Sequence, residues 1–125
     1  MDWDAIGREN LRAAQSLKGS KHWRSSVSRA YYAAFGVLNH ILPRAEAPPA
    51  EHRTHRHRQL TGLVRRHLDR LTVSRNRSPR TTITRLYNAR LAADYDERMS
   101  HDEKVALNAL RGALAVFHCL EAAHE

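Results

Sequence analysis

Cysteine occurs once in the 125 residues, as Cys119, so no disulfide framework can stabilise the fold. With Val116, Phe117 and Leu120 around it, that thiol reads as a small buried hydrophobe rather than a nucleophile. The five glycines (7, 19, 36, 62 and 112) are scattered singly, which excludes a glycine-rich phosphate loop. No serine stands in a nucleophile elbow. No helix-turn-helix pattern is evident, and the central apolar segments are too hydrophobic to serve as recognition helices. No apolar run approaches the roughly 18 residues needed to cross a bilayer. The acidic start, MDWDAIGREN, resembles neither a signal peptide nor an anchor, so no membrane association is expected and the cytoplasm is the expected compartment. Nothing alternates with period two for long enough to argue a strand.

Acidic residues are scarce in one place in particular. Between Arg53 and Arg80 nine arginines face a single acid, Asp69, so this quarter of the chain carries the whole formal charge of +8. Elsewhere 12 basic residues balance 12 acidic ones. Such a concentration attracts phosphate backbones or an acidic protein, and it is equally the pattern of a solvated arginine-rich face. Arg53, Arg56, Arg58, Arg65 and Arg66 are the expected nucleic-acid-binding residues.

The hydrophobic fraction of 42% and the length suit one globular domain, residues 1–125, with a single core. Its apolar spacing is helical throughout. Trp3, Ile6, Leu11, Ala14 and Leu17 predict a first helix over 3–18, with Gly19 as a left-handed cap. Ser20 is placed to cap a second helix running through WRSSVSRAYYAAFGVLNHIL to Pro43. Its wide apolar face marks it as central, and Ala30, Ala33, Ala34 and Gly36 invite close helix approach. After the loop PRAEAPPA, a third helix is predicted over about 51–71, with Leu60, Leu63, Val64, Leu68 and Leu71 facing inward. Ser78 followed by Pro79 opens a fourth through Ile83, Leu86, Tyr87 and Leu91. Ser100 and Glu103 form a capping box for a fifth, through Val105, Leu110, Ala113, Phe117 and Leu120. The expected architecture is all-α, a four- to five-helix up-down bundle.

Two segments carry a family resemblance. SRAYYAAFGVLNHIL resembles the second-helix signature of HEPN (higher eukaryotes and prokaryotes nucleotide-binding) domains. LYNARLAADYD resembles the segment of that family in which an arginine and a short spacer precede Ala-Asp-Tyr. Their order and separation match too, so the resemblance covers nearly the whole chain. It implies a helical bundle that dimerises, a role with RNA or a nucleotide, and membership of a toxin-antitoxin or defence pair with a minimal nucleotidyltransferase. In related systems that partner attaches AMP to a tyrosine of the motif, and Tyr95 occupies the matching position. A homodimer is expected, through the small-residue face of the second helix or the apolar excess of the fifth.

Active members carry an arginine, four to six residues, then a histidine. Here Arg90 has Tyr95 at the histidine position, with Asp94 between, and Leu91 stands where a polar residue usually follows the arginine. Attack by a ribose 2′-hydroxyl needs a base and an acid that work near pH 7. Histidine serves both, whereas a phenol titrating near 10 is a poor base and remains a hydrogen-bond donor to phosphate. Arg90, Tyr95 and Asp94 are therefore the expected site, better suited to binding than to cutting. A metal-independent ribonuclease using them, or a non-catalytic helical interaction subunit, are the alternatives. A salt bridge from Arg90 to Asp94, four residues on, is the structural reading of the same residues.

Other constellations are weaker. Arg111 and His118 satisfy the literal spacing on a largely core helix, and read as an accidental match or a dimer contact. His52, His55 and His57 lie among arginines that would repel a cation, so no metal and no cofactor are expected.

Overall fold

The computed structural model describes residues 2–42, 60–62, 64–66, 78–97 and 102–124. It is an all-α bundle: α1 (Trp3–Gly19), α2 (Trp23–Ile41), α3 (Pro79–Tyr95) and α4 (Glu103–His124). Residues 60–62 and 64–66 are also helical, with Leu60 and Val64 buried and Arg65 and Arg66 exposed. The remainder of the predicted third helix lies outside the described residues.

α2 is the central element. Ten of its residues are buried, because its apolar positions occupy more than one stripe and its neighbours cover more than one side. It packs on α1, α3 and α4, with α1 the most extensive partner. Pairing of position 7 with 36, of 14 with 26 and of 3 with 35 makes α1 and α2 antiparallel. Tyr31 with Tyr87, and Arg24 with Ala93, do the same for α2 and α3. α4 contributes Ala106, Ala109, Leu110, Ala113, Val116, Phe117 and Leu120 to the core. Its outer end is tied to α1 by Arg8, which contacts Asp4 at 3.1 Å and Glu121 at 3.4 Å and lies over the Phe117 ring.

The α1–α2 interface is unusually close for side-chain-bearing helices. A Cβ added to Gly36 would lie 2.7 Å from the Gly7 Cα and 2.8 Å from its nitrogen. The backbones therefore touch where two glycines meet, with Ala33 and Ala34 buried beside them. Further along, the buried Ser26 hydroxyl donates to the Ala14 carbonyl at 2.8 Å, a polar contact fixing the register of the two helices. The small-residue face of α2 is thus consumed inside the chain, and the expectation that it supports a dimer is corrected.

Caps differ from expectation in three places. Gly19 is the last helical residue of α1, and no described glycine has positive φ. The left-handed position belongs to Lys21, at φ 63°. Its N–H donates to the Lys18 carbonyl and that of His22 to Leu17, the paired bonds that close a helix C-terminus. The turn therefore lies two residues later than the glycine suggested, and Ser20 closes α1 instead of capping α2, which starts after His22 without a side-chain cap. Because a side chain in this conformation costs about 1 kcal/mol, Lys21→Gly is expected to raise unfolding stability by about that amount, measured by urea titration; a loss would show that Lys21 is not strained.

At α3 the expectation holds: the Ser78 hydroxyl accepts from the Thr81 N–H at 3.2 Å, and Pro79 opens the helix. α4 begins at Glu103 and is capped by Asp102, whose Oδ1 accepts from the Val105 N–H at 3.2 Å. Glu103 is therefore the first helical residue rather than the third, as it would be in a box begun by Ser100, which is outside the described residues.

Candidate functional site

The segment LYNARLAADY forms the C-terminal half of α3, extending the helix past Leu91 to Tyr95. The Asp96 N–H donates to the Ala92 carbonyl at 3.0 Å and ends it. Pro79, Thr82, Ile83, Leu86 and Ala93 anchor the helix in the core. A second tie comes from α2, where Arg24 Nη1 donates to the Ala93 carbonyl at 3.1 Å. This guanidinium satisfies one of the terminal carbonyls that a helix leaves without an internal partner, and complements the negative end of its dipole. Arg24 lies 69 residues before Ala93, so no local pattern could have marked the pairing.

Arg90 turns inward from this helix. Its guanidinium carbon stands 5.3 Å from the Tyr32 ring centre and 6.0 Å from that of Tyr31, within cation–π range of both. Nε lies 3.0 Å from Asp94 Oδ2, the expected pair four residues apart. Although the two atoms are close, the buried Nε–H does not aim at the carboxylate, so the contact is ionic without a hydrogen bond. The Arg90 side chain retains only 19% of its exposure. Beneath it Tyr31 belongs to an aromatic cluster with Tyr32, Phe35 and Tyr87 at centroid distances of 5.1, 5.9 and 5.6 Å. Burial pushes the Tyr31 phenol well above its ordinary range, with the Arg90 charge acting in the opposite direction. These tyrosines were legible as apolar helix residues and as part of the SRAYYA segment; their role as a platform for Arg90 was not, because it requires the α2–α3 crossing.

Tyr95 has the opposite environment. It is 74% exposed, the only exposed large hydrophobic among the described residues. Five residues at 100° each put it about 140° around the helix from Arg90. It borders a shallow concavity with Leu91, Ala92, Asp96 and Glu97, to which Arg90 does not contribute. The site expected from Arg90, Asp94 and Tyr95 is therefore divided between two places: Arg90 and Asp94 on the inner flank of α3, and Tyr95 presented to solvent at its end. Helical geometry separates groups that adjacency in the sequence seemed to unite.

Arg65 and Arg66 are exposed, as a phosphate-binding face requires. Arg53, Arg56 and Arg58, together with His52, His55 and His57, lie outside the described residues. Arg111 and His118 are both exposed on α4, seven residues apart and on one face. Cys119 is partly buried, and burial raises its pKa, which keeps the thiol protonated and unreactive. Among the described residues no three metal-ligating side chains converge, and no helix is long and apolar enough to cross a membrane.

Comparison with known proteins adds one positive finding. The family model described as the HEPN domain matches residues 1–123. The searches of curated proteins and of solved structures returned no match. The family match spans α1 to the last turn of α4, taking in both the SRAYYA helix and the ADYD helix end that the bundle packs against each other, and it supports a nucleotide- or RNA-related role. On that coverage, with an all-α bundle built around those two segments, the chain belongs to the HEPN-domain family.

Proposed function

We propose that this HEPN-domain protein is the RNA- or nucleotide-binding member of a toxin-antitoxin or defence pair, and that its partner, a minimal nucleotidyltransferase, acts on Tyr95. The observation that carries this reading is the 74% exposure of Tyr95 at the end of α3. An enzyme that transfers AMP must bring its bound nucleotide to the acceptor oxygen, so the acceptor has to stand clear of its own fold. Tyr31 is buried, and Tyr32 and Tyr87 are packed against the core; neither arrangement gives that access. In the transfer, the Tyr95 oxygen attacks the α-phosphorus of ATP, a P–O bond forms, the phenolic proton leaves to solvent and pyrophosphate departs.

Binding, not cleavage, is the activity that suits Arg90. It is held by Asp94 and two aromatic rings, and no histidine is among these described contacts to act as base or acid. Arg65 and Arg66 are exposed and add positive charge that attracts phosphates. The protein is proposed to work as a homodimer in the cytoplasm.

The test is co-expression with a minimal nucleotidyltransferase, followed by intact-mass and peptide mass spectrometry. The native chain should gain one adenylyl group, Tyr95→Phe none, and the modified form should bind single-stranded RNA more weakly because a phosphate has been added. Modification at another tyrosine, or undiminished modification of Tyr95→Phe, would overturn the assignment.

A further inference from the structure

A groove of about 520 Å³ runs between α3 and α4, away from Tyr95. Leu86 and Ala89 from α3, with Ala109 and Gly112 from α4, give it an apolar strip, which the polar side chains of Thr82 and Asn108 interrupt. Arg85 stands on one side and Arg111 on the other, both exposed, and no carboxylate or aromatic ring occurs among its described lining residues. We propose that this groove receives an acidic amphipathic helix of a partner protein.

The chemistry of the lining chooses this occupant. The apolar strip takes the apolar stripe of a helix laid along it, a common mode of peptide recognition, and Thr82 and Asn108 can hydrogen-bond to polar groups beside that stripe. Glutamates or aspartates flanking that stripe meet a guanidinium on each side, where carboxylate geometry matches the arginine fork. A net charge of +8 strengthens the approach of an acidic segment. Nucleic acid is disfavoured: single strands are held by bases stacking on aromatic side chains, and this groove offers none. A two-fold pairing of identical grooves is also disfavoured, because it would set Arg85 and Arg111 of one copy against the same residues of the other. The inference does not depend on the role proposed for Tyr95, which does not line the groove.

The test uses two labelled synthetic helical peptides that share a leucine and alanine stripe, one flanked by glutamates and the other by lysines, with fluorescence anisotropy as the readout. The full chain should bind the glutamate peptide and discriminate against the lysine peptide. The double variant Arg85→Glu with Arg111→Glu should weaken the first by about tenfold or more and accept the second. Ala89→Trp, which fills the groove from a partly exposed position, should block both. Circular dichroism melting confirms that each variant is folded. Equal binding of the two peptides, an unchanged affinity in the charge-reversed variant, or displacement of the glutamate peptide by a single-stranded RNA oligonucleotide would overturn the proposal.

Discussion

Replacing Gly36 by valine is expected to lower the thermal midpoint by roughly 10 °C, from a loss of about 3 kcal/mol. A Cβ at this site already approaches the Gly7 Cα to 2.7 Å, and the Trp3 carbonyl oxygen to 3.1 Å. These are backbone atoms and cannot move aside as a flexible side chain does, so α1 must shift as a body. The shift would also strain the Ser26 contact to Ala14. Helix propensity slightly favours valine over glycine, by a few tenths of a kcal/mol at most, which is too small to reverse the sign. Gly19→Ala is the matching control: nothing lies within 4 Å of the added carbon and the backbone is not left-handed, so that variant should be neutral or more stable. A Gly36→Val midpoint equal to that of the native chain would refute the close approach of the two helices.

Ile83→Ala is expected to cost about 3 kcal/mol, against about 1 kcal/mol for Ile83→Val. Ile83 is fully buried and is one of few deep anchors of α3, whose remaining surface is largely polar. Removing most of the side chain leaves a cavity in the core and loosens the element that carries both Arg90 and Tyr95. Urea unfolding measures the stability change, and amide hydrogen exchange should show faster opening of α3 than of α1. If the alanine and valine variants were equally stable, Ile83 would not be the pin that holds α3. Tyr95→Phe, by contrast, should leave stability unchanged, since the phenol projects into solvent.

Much of this architecture is legible in the sequence. Helical periodicity places α1 within a residue of its ends and α2 within about two, because their apolar positions repeat with the helical turn. Ser78 and Pro79 marked the start of α3 through local chemistry alone. The failures share a cause: each depended on geometry beyond the nearest turn. Gly19 looked like a left-handed cap, yet the chain places that conformation at Lys21, where the paired Leu17 and Lys18 carbonyls are satisfied. The fourth helix, legible as far as Leu91, continues to Tyr95 because Ala93 faces the core and Arg24 ties the Ala93 carbonyl. The Arg90–Asp94 pair followed from a spacing of four, whereas the separation of Tyr95 follows from a spacing of five. The tyrosine platform under Arg90 and the groove between α3 and α4 belong to helix pairings, which no single segment encodes.

The three-residue turn between α1 and α2 has a kinetic consequence. Closing so short a connection sacrifices little chain entropy, and the two helices then meet along their length through contacts that are near in sequence. This hairpin can assemble before α4, which must return from the far end of the chain to complete the core. A lesion at its glycine contact would then slow refolding in stopped-flow experiments, while one at Ile83 would chiefly hasten unfolding.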